Sequence, residues 1–334
     1  MSFPPCKLVS SAYKLNGPQR TSSLLAGLPM PEASATFDHD IDDVLARRVR
    51  HASIATRFLC STAAPLADME PLRTLRTQAP ARAGIYVGGE TISLADDLDF
   101  DLCVKVHGPD HASPLKTPNT LANVAGSQLA ILTGITGPNC TIAAGETSGF
   151  AALQAAALAL ATDRIDAAVV TGIEVSSRYH AVAFPGMRQS AAAHVVVRAE
   201  PQAPVVFELP WIGRIDMSDA CASVVASMDR HAGGNAGGLA SLDAILFACG
   251  DAGFKDALAR SLYQATWRGT FVWGPDCYGY GEACRGLLAL GMADEWLSGR
   301  VPPGVPQGAL PSRLAVAGLD RDGQMAVLVM SRRA

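Results

Sequence analysis

The feature that most constrains this chain is a charge-free run at residues 150–162, Phe-Ala-Ala-Leu-Gln-Ala-Ala-Ala-Leu-Ala-Leu-Ala-Thr. Alanine and leucine favour helix, and a helix that is apolar on every side belongs in an interior rather than on a surface. The flanks agree with a buried placement. Gly137-Pro138 marks a turn, and residues 141–144 (Thr-Ile-Ala-Ala) read as a short apolar strand behind it. Gly145-Glu146-Thr147-Ser148-Gly149 is then a tight corner of small residues around one carboxylate, and residues 165–172 follow as a second buried strand closed by Gly172. Strand, sharp corner, buried helix and strand together aim the side chain at the corner into a protected site. Glu146 stands there, at the positive end of a helix dipole.

Composition supports a chain with much fully buried secondary structure: 49% of residues are hydrophobic and 17% charged. A length of 334 residues allows one large domain or two moderate ones. The formal net charge of −4 provides no basic footprint, so no nucleic-acid partner is expected. Eight cysteines without a Cys-x-x-Cys pair argue for reduced thiols rather than a disulfide framework or a zinc site. The first seventeen residues lack a charged segment followed by an apolar core, and no apolar run reaches about 18 residues, so neither a secretory leader nor a membrane span is expected. A cytoplasmic protein without cofactor or metal is the expectation.

Along the chain, residues 7–15 alternate as a strand, residues 17–36 are loop, and residues 44–64 carry apolar residues at helical spacing around Arg47, Arg48 and Arg50. Residues 37–43 gather acids around His39, which reads as a solvated helix start rather than a metal site. Residues 83–89 form a strand running into a glycine turn, more suited to close backbone packing than to phosphate binding. His107 and His111 enclose a Gly-Pro break that spoils any common ligand face. Beyond the buried unit, strands are expected at 193–199, 205–215, 242–249, 270–273, 312–318 and 325–330. Helices are expected at 218–231, 255–264 and 281–297. The turn-rich stretch 200–204 is the best internal boundary, dividing the chain into 1–199 and 200–334. Strands and helices alternate on both sides of Pro201, which implies α/β layers in two similar halves.

The buried unit resembles the nucleophile region of the β-ketoacyl synthases of the thiolase superfamily. In that family a strand ends in Ala-Cys-Ala/Thr-Ser-Gly and the cysteine caps a central buried helix. Pro114, Pro118, Asn123, Gly134, Gly137 and Pro138 fall without a gap in the family's upstream pattern, and Asp166 to Glu174 is similar to its Asp-x-x-(apolar)-x-Gly-Gly-x-Glu. The resemblance implies a thiolase fold, layered αβαβα, in two related halves. It also implies a missing nucleophile, because Glu146 stands at the cysteine position and a carboxylate cannot carry an acyl thioester. The family's two histidines fall at Cys249 and Trp273 and its lysine at Arg268, while its glycine-rich gating loop is replaced by Leu319-Asp-Arg-Asp-Gly323. Cys249 reads as a small buried residue rather than a relocated nucleophile.

Loss of nucleophile, histidines and gate together points to a pseudo-ketosynthase without condensing activity of its own. The resemblance then implies a chain-length factor of a type II polyketide or polyene system, similar in compactness to the factors of aryl-polyene pathways. Such a factor pairs as a heterodimer with an active ketosynthase and meets an acyl carrier protein transiently. Its interface would run through Asn139, Thr141, Ile142 and Ala143, and its length-setting residues would be Leu115, Lys116 and Leu121. Lys116 reads as snorkelling outward, with pairing to Glu146 as the other option. The alternative is a thiolase-fold hydrolase or acyltransferase with Glu146 as general acid or base. A purely structural homodimer is a third reading.

Overall fold

The structure, a computed structural model, describes residues 3–15, 20, 21, 24, 47–175, 177–183, 189–232, 238–248, 252–274, 282–306, 308 and 310–333. In the first half the elements are β1 (Cys6–Leu15), β2 (Arg20–Thr21), α1 (Ile54–Ala63), α2 (Leu72–Gln78), β3 (Ala83–Gly88), α3 (Leu94–His107), α4 (Val124–Thr133), β4 (Asn139–Ile142), α5 (Ser148–Ala161), β5 (Ala167–Glu174), α6 (Arg178–Ala183) and β6 (Ser190–Arg198). The second half holds β7 (Val205–Phe207), β8 (Trp211–Arg214), α7 (Ala220–Ala232), β9 (Ala244–Phe247), α8 (Ala252–Gln264), β10 (Thr270–Trp273), α9 (Arg285–Leu297), β11 (Arg313–Leu319) and β12 (Gln324–Arg332).

The strands repeat one topology twice. In the first half the order is β1-β6-β5-β3-β4, with β1, β6 and β5 antiparallel neighbours and β5, β3 and β4 parallel. In the second half the order is β7-β12-β11-β9-β10, again two antiparallel steps and then two parallel ones. The two runs meet through a single residue pair, Cys6 opposite Phe207. In each run the last strand, β4 or β10, leads into a central helix, α5 or α9, before the chain returns as the middle strand, β5 or β11.

Alternation along the strands builds the layers, because successive side chains point to opposite faces. In the first half Tyr86, Ala168 and Val170 face a central core, while Ile85, Val87 and Val169 face an outer core beneath α1 and α4. In the second half Leu246, Leu314 and Val316 face the same central core, while Ile245, Phe247 and Ala315 pack under α7 and α8. The central core is filled by α5 and α9, through Phe150, Leu153 and Leu160 against Leu287, Leu288 and Trp296. The order helix, sheet, helix pair, sheet, helix is the expected αβαβα arrangement.

The central helices approach closely. A Cβ on Gly149 would lie 2.7 Å from the Ala283 carbonyl, and one on Gly286 would lie 2.5 Å from the Phe150 ring. Side chains at either position would push the helices apart.

Three expectations from the sequence change. The 44–64 helix is interrupted: residues 47 and 48 are helical, a turn follows at 49–52, and α1 starts at Ile54, where Ser53 takes the N-cap and its Oγ accepts from the Thr56 amide at 3.0 Å. The 205–215 strand splits into β7 and β8 across Pro210, which has no amide for the ladder. The start of α9 moves from residue 281 to Arg285, behind a 3-10 turn at Glu282–Cys284. The acidic stretch at 37–43 and His39 lie outside the described residues. Among the described residues no group of three or more His, Cys, Asp or Glu could hold a metal ion, and no helix is long and apolar enough to cross a membrane.

His194 of β6 lies fully buried beneath α9 and ties the halves together. Its Nε2 donates to the Leu287 carbonyl at 2.9 Å, so its Nδ1 accepts from Ser11 Oγ at 2.8 Å and the ring is neutral. Burial lowers its pKa from 6.5 to about 4. The unfolded chain therefore binds the proton that the folded one refuses between those values. Stability is full above 6.5 and falls as pH drops from 6.5 towards 4, by about 3 kcal/mol at about 1.4 kcal/mol per pH unit. Denaturant titrations across that range are expected to show this loss in the wild type and a flatter profile in His194→Gln. An unchanged slope in the variant would assign the pH dependence elsewhere.

Candidate functional site

The corner ahead of α5 holds together through its own short side chains. Ser148 Oγ donates to the Gly145 carbonyl at 2.6 Å and accepts from the Ala144 amide at 2.8 Å, while Thr147 Oγ1 donates to the Ala144 carbonyl at 2.9 Å. Gly145 has a positive φ of 60°, and a Cβ there would come within 3.0 Å of Asp320. This turn leaves Glu146 projecting at the mouth between the two halves, with its side chain 12% exposed.

Arginines from two distant elements meet it. Arg285, the first residue of α9, donates from Nη1 to Glu146 Oε2 at 2.6 Å and is itself only 7% exposed. Arg321, from the tight connection between β11 and β12, reaches Glu146 Oε1 at 3.4 Å and is 56% exposed. That connection is the segment where the gating loop was expected. It folds as a closed hairpin: Asp320 Oδ1 accepts from the amides of Asp322 at 2.9 Å and Gln324 at 2.7 Å, and the Gly323 amide donates to the Asp320 carbonyl at 3.2 Å. The hairpin therefore lies against the corner, Asp320 over Gly145 and Arg321 on Glu146.

Glu90, just beyond β3, belongs to the same group. Burial pushes its carboxyl above the ordinary range; Arg321 and Arg285 pull it back, and Glu146 and Asp320 add to the rise. Its Oε2 is buried with no hydrogen-bond partner among the described residues.

Below the mouth Glu174 is fixed from two sides. Thr91 Oγ1 donates to Glu174 Oε1 at 2.5 Å, and the Ala283 amide donates to Oε2 at 3.1 Å. Behind Thr91, His180 Nε2 donates to the threonine oxygen at 2.9 Å, and Ser177 Oγ donates to His180 Nδ1 at 2.6 Å. Burial lowers the His180 pKa, in keeping with a neutral ring. The last residue of β5 thus pins the backbone two residues ahead of Arg285 and sets where that guanidinium arrives.

The other positions singled out in the sequence do not join this group. Trp273 packs into the outer core of the second half, its ring stacked on Phe247 with centroids 5.7 Å apart. Its neighbour Val272 takes the central face instead. Strand parity therefore turns the residue aligned with a family histidine away from the central face and into the outer core. Arg268 lies over the Tyr263 ring at 3.8 Å and donates to the carbonyls of Tyr263 and Trp267, closing the end of α8. Cys249 lies outside the described residues. Leu115 and Leu121 are exposed, at 66% and 57%. Lys116 is exposed too, and its field falls on Asp96 and Asp99, while Glu146 takes arginines. Asn139, Thr141 and Ile142 lie on β4, which ends the strand order with β3 on one side only; Ala143 follows it and is exposed.

Chemically this is a closed cluster of opposite charges and not a nucleophile with its base. A partly buried ion pair loses about 3–5 kcal/mol when one partner is deleted, because the other charge is left desolvated. Arg285→Met is expected to destabilise the protein by that order in urea titrations, and by much less when Glu146→Gln is already present. Arg321→Ala, at an exposed position, is expected to cost under about 1 kcal/mol. Additive losses for Arg285→Met and Glu146→Gln would mean that the pair is not coupled.

Comparison with known proteins places the fold and the family. Many solved structures match, among them two with a TM-score of 0.73 that each cover 99% of this chain and 100% of the other. One, at 14% identity, is described as a type II PKS acyl-carrier protein in complex with its ketosynthase bound to the hexaketide (AntDE:AntF). The other, at 19% identity, is the ishigamide ketosynthase/chain length factor. No curated protein sequence matches. Residues 10–197, more than half of the chain, match the β-ketoacyl synthase N-terminal domain. The chain belongs to the β-ketoacyl synthase family, with a glutamate clasped by two arginines at the corner ahead of its central helix.

Proposed function

We propose that this protein is a non-catalytic ketosynthase homologue, a chain-length factor that pairs with an active ketosynthase and shapes the tunnel for the growing acyl chain. The observation that carries the reading is the Glu146–Arg285–Arg321 cluster. It puts an ion pair where the family's chemistry needs a free thiolate, and it fastens the hairpin that replaces the gate over that spot. A carboxylate so engaged offers neither a nucleophilic sulfur nor a lone pair poised for a substrate proton. The pairing rests on β4, an edge strand, together with the exposed apolar residues Leu115, Leu121 and Ile131. A long-lived soluble protein usually covers or charges such an edge. One similar solved structure is named as a ketosynthase/chain length factor, which agrees with the same partner class. In this reading the halves divide at residues 199 and 200, the carrier protein visits the complex transiently, and the product is a polyketide or polyene acyl chain.

One observation favours the other reading, an acid–base hydrolase or acyltransferase. Glu90 supplies a second carboxyl beside Glu146, with its pKa raised by burial. The two arginines outweigh it, since Glu146 spends both oxygens on them. Reconstitution with an active ketosynthase and carrier protein separates the readings. Glu146→Gln is expected to leave product formation within a few fold, and Ile142→Asp is expected to separate the subunits on gel filtration. A loss beyond about a hundredfold for Glu146→Gln in an intact complex, roughly 3 kcal/mol of barrier, would give the site to catalysis.

Length control generates a second test. Leu115 and Leu121 present exposed apolar bulk, and apolar bulk decides where an alkyl or polyene chain stops. Leu115→Ala or Leu121→Ala is expected to lengthen the product by one or more two-carbon units at similar turnover, read by mass spectrometry. An unchanged product distribution from an intact complex would remove these residues from that role.

A further inference from the structure

A cleft of about 530 Å³ opens between the start of α1, one side of α3 and the 111–119 loop, and it shares no lining residue with the Glu146 group. Arg57, one turn into α1, lines it. Arg57 Nε is buried and has no hydrogen-bond acceptor among the described residues. A buried donor left without an acceptor costs about 1–3 kcal/mol, and a guanidinium costs more than a neutral group. Lys116 stands exposed on the opposite lip, and Arg50 adds a third cation. The first turn of α1 carries no acidic residue, so the positive end of that helix is not offset locally.

Of the two acidic groups on the far wall one is already engaged and the other stays ionised at neutral pH, so Arg57, Arg50 and Lys116 face a single free carboxylate. Asp99 is already engaged by Arg178 at 2.5 Å and by the Tyr179 hydroxyl. Asp96 is raised to about 6 by burial and by its neighbours Asp99 and Asp97, against a smaller pull from Lys116. His51 and His111 also face the cleft, and Arg50 Nε donates to His51 Nε2 at 3.0 Å.

We propose that this cleft binds a small oxyanion, a carboxylate or a phosphate monoester, with the Arg57 guanidinium taking two of its oxygens and Lys116 closing on it from the opposite lip. The planar fork of a guanidinium matches two oxygens of either anion, and the lysine adds a point charge that needs no fixed geometry. The site uses neither Glu146 nor the β4 edge, although its loop also carries Leu115.

The test uses the full chain, with its partner subunit where that is needed for solubility. Inorganic phosphate and acetate are titrated separately at ionic strength held constant with chloride, and binding is read by calorimetry and by thermal shift. One or both anions are expected to bind the wild type, and Arg57→Met and Lys116→Met each to weaken that binding at least tenfold with an unchanged far-UV spectrum. Tighter binding of phosphate assigns the site to a phosphate-bearing ligand, and tighter binding of acetate assigns it to a carboxylate. Lys116 is exposed, so its variant reports even where loss of Arg57 disturbs folding. A wild type that responds to both anions only as it does to chloride, or equal affinity in all three proteins, would overturn the proposal.

Discussion

Two helices touch at the centre of this molecule without the usual spacing of side chains, and the arrangement of the site follows from that contact. Gly149 on α5 lies against the backbone carbonyl of Ala283, and Gly286 on α9 lies against the Phe150 ring. Packing at interior density leaves no room for a Cβ at either place. Because both helices start at this crossing, the corner before one and the first turn of the other fall side by side. Glu146 and Arg285, 139 residues apart in sequence, are consequently hydrogen-bonded neighbours.

That contact explains why charge, rather than bulk, fills the space at the corner. The site where a family member would keep a small reactive thiol has a backbone cradle suited to one side chain, aimed outward by Gly145 and braced by Ser148 and Thr147. Any carboxylate placed there would be partly desolvated, which is costly without partners. Arg285 meets the need from beneath and Arg321 from above, and Glu174 holds the backbone that delivers Arg285. In this chain the same cradle serves as a clasp between the corner ahead of α5, the start of α9 and the β11–β12 hairpin.

The edge strand gives the other half of the functional picture. β4 ends the strand order among the described residues, short and partly exposed. Its free backbone groups and the exposed Leu115, Leu121 and Ile131 are features that a second subunit would cover. The core behind the strand is complete without such a partner, because Ile85, Val87 and Leu129 already pack with α1 and α4. Assembly would therefore change what the surface does more than whether the chain folds.

What the sequence by itself determined was local and periodic. The charge-free 150–162 run announced the buried α5, the corner before it was legible from small residues, and the repeated alternation of strands and helices announced two layered halves. The motif around Glu146 was enough to show that a thioester could not form there. Tertiary structure alone decided what Glu146 does instead. Arg285 sat inside an ordinary-looking amphipathic helix and Arg321 in a polar turn, and nothing in their spacing pointed to residue 146. Strand parity likewise decided that Trp273 fills the outer core, since a register cannot be counted through a loop of uncertain length. Periodicity is a property of neighbours along the chain, whereas an ion pair between helix starts depends on how two separate halves meet, and only the folded packing holds that information.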